Sequence, residues 1–274
     1  MRTIGLWPLI VYLAIFFLLP LVRVLLESLH FPELSMREYA IIFSDPVQLR
    51  VFGNTFRIAG GVTVLCVFLG YPVAYALCHV GPKFRALLLV CILLPLLTSF
   101  LVRTYAWMVL LQRQGVINQL LMNAGLINEP LALMYNRIGT FIGMTHVLLP
   151  FMVLPMYSVM RNIDRGLLEA AANLRATPFQ AFIRVFLPLS LPGIAAGMVF
   201  VFMLALGFFI TPALLGGGPD ITIAVLIERQ ATQLLNWHLA SALASVLLVL
   251  SLLLYVIYDR VLGLERLFGN FEAR

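Results

Sequence analysis

The chain has 274 residues, 62% of them hydrophobic and 11% charged, with a formal net charge of +6 and a mean hydropathy of +1.02. A soluble domain carries about 25% charged residues, so this composition excludes one and describes a membrane protein that crosses the bilayer several times. The basic excess reads as membrane topology, and nothing in its distribution suggests a nucleic-acid surface.

The first apolar run, Gly5–Leu26, is longer than the roughly 7–15 residues of a signal-peptide core. Arg23 and Glu27 close it with no small-residue cleavage site, so it is expected to be a retained span. Further apolar runs of about 20 residues, enough to cross a bilayer, complete a set of predicted spans at 5–27, 55–79, 86–110, 139–160, 191–214 and 239–261. The expected fold is all-α: one transmembrane domain over 1–274 with six transmembrane helices and both termini on the same side. One set of connections carries Arg2, Lys83, Arg85, Arg161, Arg165, Arg175, Arg184, Arg260, Arg266 and Arg274. The other set is longer in total yet carries only Arg37, Arg50, Arg57, Arg113, Arg137 and Arg229. Basic residues favour the cytoplasmic side, which places the termini and the 161–190 loop there. Cys66, Cys78 and Cys91 fall in or at the ends of spans and read as small packing residues, not a disulfide framework.

The 161–190 loop is more organised than a connection needs. Asp164 is suited to cap a helix running from Gly166 to about Leu174. Thr177 then caps a second helix, with Pro178 at its first position and Gln180 completing a capping-box pattern. Phe179, Phe182, Ile183 and Phe186 recur at one-face spacing, and Leu187-Pro188 is expected to end the helix. The first helix offers Glu169 beside Ala170, Ala171 and Ala172. Small side chains permit close approach of a neighbouring surface, and one carboxylate can fix its orientation. An amphipathic helix resting on lipid headgroups fits the same pattern.

Glu169-Ala170-Ala171, with Pro188 about twenty residues on, resembles the EAA loop of ABC-importer permease subunits. The resemblance implies a type I importer permease fold in a bacterial inner membrane, with Glu169, Ala170, Ala171, Arg175, Thr177 and Pro178 coupling the chain to its ATPase. It also implies partners: two copies of a cytoplasmic ABC ATPase, a second and non-identical permease chain, and a periplasmic or extracellular substrate-binding protein. No cofactor is expected in this chain, and ATP and Mg would be bound by the partner subunits. The chain departs from the family pattern at Arg175, where the family usually has the glycine that suits a left-handed helix end. Further segments resemble the polyamine branch of the family, of the spermidine/putrescine type. They are Asn54-Thr55, Gly70–Tyr75, Pro95–Thr98, Arg103–Trp107, His146–Tyr157 and Thr211–Gly218.

Phosphate-binding loops need a lysine after a glycine-rich run. The single lysine, Lys83, stands in HVGPKFR, so ATP hydrolysis is expected from a partner. Within the third span, about a dozen large apolar residues supply roughly −4 to −7 kcal/mol of insertion energy against about +3 for a central arginine. Arg103 can therefore face the bundle interior or snorkel to the outer interface. Tyr105, Trp107, Phe208 and Phe209, with Thr211 and Pro212, are candidate path residues, since aromatic faces attract cations; interface-belt packing is the alternative. The acidic residue that relatives in the polyamine branch carry near Phe208 is absent. Pro72, Pro95, Pro150, Pro155 and Pro212 are expected to kink spans, Pro212 with Gly216–Gly218 shaping a gate or only a static bend. Asp220 and Glu228 are candidate contacts for the binding protein. His146 and His238 have no metal-ligand spacing. A secondary transporter would need carboxylates inside its spans, and no acidic residue lies well inside any of them. A membrane-embedded enzyme would need a cluster of His, Asp, Glu or Cys, and the four histidines are scattered.

Overall fold

A computed structural model describes residues 11–262, and every regular element among them is helical. Residues 5–10 of the first predicted span, and Arg2, Arg266 and Arg274 of the topology argument, lie outside the described residues. In chain order the helices are α1 (Val11–Ser28), α2 (Arg37–Ser44), α3 (Pro46–His79), α4 (Pro82–Leu97), α5 (Phe100–Leu111) and α6 (Val116–Asn123). Then follow α7 (Arg137–Arg161), α8 (Arg165–Asn173), α9 (Pro178–Leu206), α10 (Ile210–Leu215), α11 (Ile223–Glu228) and α12 (Trp237–Leu262). Five of these, α1, α3, α7, α9 and α12, are each long and apolar enough to cross a membrane, and the bent pair that begins with α4 makes a sixth if it is one span.

Local chemistry sets the helix starts. Asp45 Oδ1 accepts the Val47 N–H at 2.8 Å, with Pro46 at the first position. From there α3 runs 34 residues, about 51 Å at 1.5 Å per residue, and so outreaches a hydrocarbon core of about 30 Å. Asn136 caps α7 through the Gly139 N–H at 3.1 Å. Pro72 in α3 and Pro150 and Pro155 in α7 stand inside helices that continue past them.

The core is the seam between α3, α7 and α9. Ile58, Val62, Cys66, Ala74 and Leu77 of α3 bury against Met144, Leu148, Met152, Met156 and Met160 of α7, with Phe186, Val201 and Leu206 of α9 closing the third side. Two glycines let α9 approach α7. A Cβ at Gly197 would stand 2.6 Å from Met152 Sδ and 3.1 Å from its carbonyl oxygen, and one at Gly193 would stand 3.1 Å from Pro155 O. This spacing of four is how membrane helices pack without large side chains between them. A smaller cluster joins Ile42 of α2 to Leu239, Ala242 and Leu243 of α12. The outermost helix, α1, packs on α12 and turns most of its apolar side chains outward.

Three predicted boundaries differ. The 86–110 run is broken: α4 and the helix beginning at Phe100 meet at 102°. Pro95 tightens the end of α4, where its carbonyl accepts the Thr98 hydroxyl at 2.9 Å, and Ser99 then caps a new helix through Leu101 N–H. The 191–214 run breaks after Leu206, so Pro212 stands in the first turn of α10, where it kinks no span. Conversely, Leu187-Pro188 does not end the second loop helix. That helix passes through a π-helical turn at Phe182–Phe186 and runs on to Leu206, all of it α9. The wider turn shifts the preceding carbonyls out of the proline ring's way.

The segment after α10 is fastened to the bundle. Asn54 Nδ2 donates to Pro219 O at 2.7 Å, Ile223 N–H to Thr55 Oγ1 at 2.8 Å, and Arg137 Nε to Asp220 Oδ1 at 2.9 Å.

Candidate functional site

Two features stand out: the capped loop at one end of the bundle and a buried polar cluster between α5, α7 and α10. In the loop, Asp164 Oδ1 accepts the Gly166 N–H at 2.9 Å and starts α8. Glu169, Ala170 and Ala172 are exposed and Ala171 is half-buried, so the carboxylate and its small neighbours form an accessible face. Arg175 closes α8 with φ +61°. Its N–H donates to Ala172 O at 2.9 Å, and the Ala176 N–H donates to Ala171 O at 3.0 Å. Both bonds of a Schellman end are present, so the turn has the geometry glycine would give it, built with arginine. The capping box follows, with Gln180 N–H to Thr177 Oγ1 at 3.3 Å and Thr177 N–H to Gln180 Oε1 at 3.0 Å, and Pro178 in the first turn.

The predicted apolar stripe separates into two. Phe182 and Phe186 face inward, edge-on to Tyr75 with ring centroids 5.6 and 5.2 Å away. Tyr71 adds a second edge contact to Phe182 at 6.1 Å, and its hydroxyl lies 3.2 Å from Ser190 Oγ. Phe179 and Ile183 turn outward, with Phe179 71% exposed. This aromatic cluster ties the loop to the end of α3 and so to the core seam.

Of the candidate path residues, Trp107, Phe208, Thr211 and Pro212 gather around α5, α7 and α10. Trp107 packs edge-on to His146 at 5.6 Å and Phe208 edge-on to Phe100 at 5.7 Å. The Thr104 and Thr211 hydroxyls are 3.2 Å apart, and Pro212 is buried. Phe209 is half-buried at the start of α10. Tyr105 stands apart on another face of α5, lining a cleft of about 530 Å³ with Gln112, Met134 and Tyr135. Sequence reasoning missed two members, Phe100 and Thr104. Phe100 stands three residues before Arg103 and four before Thr104, on one helical face, but their contacts with Phe208 and Thr211 come from another part of the chain and have no local signal.

Arg103 belongs to the cluster and does not extend away from it. It is 6% exposed, its guanidinium carbon lies 4.6 Å from the Phe100 ring centre, and Nε and Nη1 have no hydrogen-bond partner among the described residues. Asp220 is engaged by Arg137, and Glu228 Oε1 accepts the Thr232 hydroxyl at 2.8 Å. Among the described residues no group of His, Cys, Asp and Glu could hold a metal.

A helical membrane bundle with a stiff capped loop anchored to its core, and polar groups buried between broken helices, is the build of a transport protein. Residues 66–263 match the family described as binding-protein-dependent transport system inner membrane component. The spermidine/putrescine transport system permease protein PotB of Haemophilus influenzae is 37% identical over 227 residues, covering 83% of this chain and 79% of that protein. Its Escherichia coli counterpart is 35% identical over 79% of this chain and 78% of its own length. The inner membrane ABC transporter permease protein YdcU of Escherichia coli is 33% identical, over 85% and 77%. In fold, the chain is similar to a bacterial ABC transporter involved in import of the acidic polysaccharide alginate, at TM-score 0.79, 21% identity and 96% coverage of both chains. It is also similar to the MetNI methionine ABC transporter, at TM-score 0.62, 17% identity and coverage of 80% and 98%. This chain belongs to the family of binding-protein-dependent transport system inner membrane components: it is an inner-membrane permease of an ABC importer.

Proposed function

We propose that the chain carries a small organic cation of the polyamine class, spermidine or putrescine, into the cytoplasm. The carrying observation is the 35–37% identity to permeases named for spermidine/putrescine transport, over most of this chain. In this reading the 161–190 loop and both termini are cytoplasmic. Two copies of a partner ATPase bind ATP and Mg and dock on the face around Glu169, Ala170 and Ala171, which Arg175, Thr177 and Pro178 hold in shape. A substrate-binding protein delivers the solute on the opposite side, and a second, non-identical permease completes the path. Nucleotide-driven movement of the loop passes through the aromatic cluster to α3 and tilts the spans, so that access alternates from outside to inside.

Trp107, Phe208 and Phe209 supply aromatic faces along the route, and Arg103 repels a cation from the cluster centre. Acidic groups for the polyamine then come from the second permease or the binding protein. Import of another small organic solute is the second reading, favoured by the buried guanidinium of Arg103 and the lack of an acidic residue near Phe208. Uptake of labelled putrescine and spermidine, in cells lacking the gene and in cells with it restored, separates the two. Loss with rescue is the expected result; unaffected polyamine uptake sinks the substrate assignment and leaves the importer.

A further inference from the structure

Under the capped loop, where α3 and α7 end and α4 and α8 begin, lies a pocket of about 250 Å³. Its polar wall is basic, made by Arg85, Arg161, Arg165 and His79 from four helices, and Leu168 and Phe186 contribute an apolar wall. Among the described residues no carboxylate lines it. Arg85 is held in place by donating Nε–H to Leu77 O at 2.9 Å and an Nη2 proton to Val80 O at 3.1 Å. Among the described residues the side chains of Arg161 and Arg165 have neither a hydrogen-bond acceptor nor a carboxylate within 4.0 Å.

A preference for basic residues at one membrane face does not account for their convergence on one concavity. Like charges brought together repel; Arg161 and Arg165 are exposed, so water screens part of that repulsion and leaves a modest cost. Arg165 adds a second cost, because it occupies the first position of α8, where the helix dipole disfavours a cation. An anion in the pocket would offset both. Guanidinium forks match the oxygens of a phosphate, and the pocket sits at the level where three spans begin or end, the level of lipid headgroups.

We propose that this pocket binds a phosphate group between Arg161, Arg165 and Arg85, carried by an anionic phospholipid headgroup or present as free phosphate. The apolar wall of Leu168 and Phe186 fits the glycerol and first acyl carbons of a lipid. A bound phosphate links the loop helix α8 to the ends of α3 and α7, and so sets the position of the coupling face whatever solute is carried.

The test uses the assembled importer, purified and placed in nanodiscs of phosphatidylglycerol and phosphatidylcholine, with retained lipid counted by native mass spectrometry. Wild type is expected to retain phosphatidylglycerol in preference, and Arg161→Gln with Arg165→Gln to lose that preference several-fold. Displacement of the lipid by millimolar inorganic phosphate identifies the free ion as the occupant; persistence of the lipid identifies the headgroup. Equal retention by wild type and variant overturns the proposal. So does a double variant that keeps its lipid and sheds its ATPase, because the arginines then hold a protein. Should the double variant fail to assemble, Arg165→Gln alone, at an exposed position, is read by the same count, and unchanged retention there is equally fatal.

Discussion

Arg175 holds a left-handed backbone conformation, φ +61°, that costs an ordinary residue on the order of 1–3 kcal/mol, and no hydrogen bond or ion pair of its side chain offsets that cost among the described residues. Arg175→Gly should therefore stabilise the purified protein by about 1 kcal/mol after the greater unfolded-chain entropy of glycine is deducted, read as a higher thermal midpoint. A lower midpoint would mean that the arginine has a stabilising contact in the assembly. Arg103 presents the converse case, a buried charge with two unsatisfied nitrogens. Arg103→Met keeps the length, loses the Phe100 contact, and removes a desolvation cost of about 1–3 kcal/mol or more. Measured on the chain alone, the variant should unfold at a higher temperature; destabilisation would mean that the Phe100 contact outweighs the desolvation cost.

At the scale of elements, the seam between α7 and α9 depends on close approach. Gly197→Val should destabilise the bundle by about 1–3 kcal/mol through overpacking, read as a lower denaturation midpoint in detergent. Adding Met152→Ala, which removes the sulfur the new side chain meets, should recover part of the loss, and no recovery would place the strain on the Met152 carbonyl instead. Much of this level was legible in the sequence. Asp164, Thr177, Pro178 and Gln180 announce the loop helices because capping is a local event, settled within four residues. The Gly193–Gly197 spacing is an equally local signal of close helix approach. The continuation of α9 past Pro188 was not available, since a π-helical turn has no side-chain signature of its own. Nor was the 102° break: Pro95 and Ser99 signal an interruption, but its angle is decided by what α5 packs against. The cluster around Arg103 stayed hidden for a related reason. It brings α5 residues together with His146 of α7, Phe208 just before α10 and Thr211 within it, contacts that only the packing of separate helices decides.

At the scale of the whole molecule, the coupling reading makes a charge reversal decisive. Glu169 is exposed and makes no hydrogen bond to another side chain among the described residues, so Glu169→Lys should leave membrane insertion and folding intact. Uptake should nevertheless fall at least tenfold while the partner ATPase keeps hydrolysing ATP, since one misplaced buried charge at an interface is worth about 1.4 kcal/mol or more. Unchanged uptake would remove the docking role from Glu169. The arrangement of the spans also has a consequence for how the chain is made. The first described helix, α1, finds its partner in α12, and the contact between Glu27 O and His238 Nδ1 spans 211 residues. At about 5–20 residues per second of synthesis, α1 waits roughly 10–40 s for that partner to emerge. During that interval it must remain in the bilayer on the strength of its own apolar side chains, while the α3, α7 and α9 seam closes beside it.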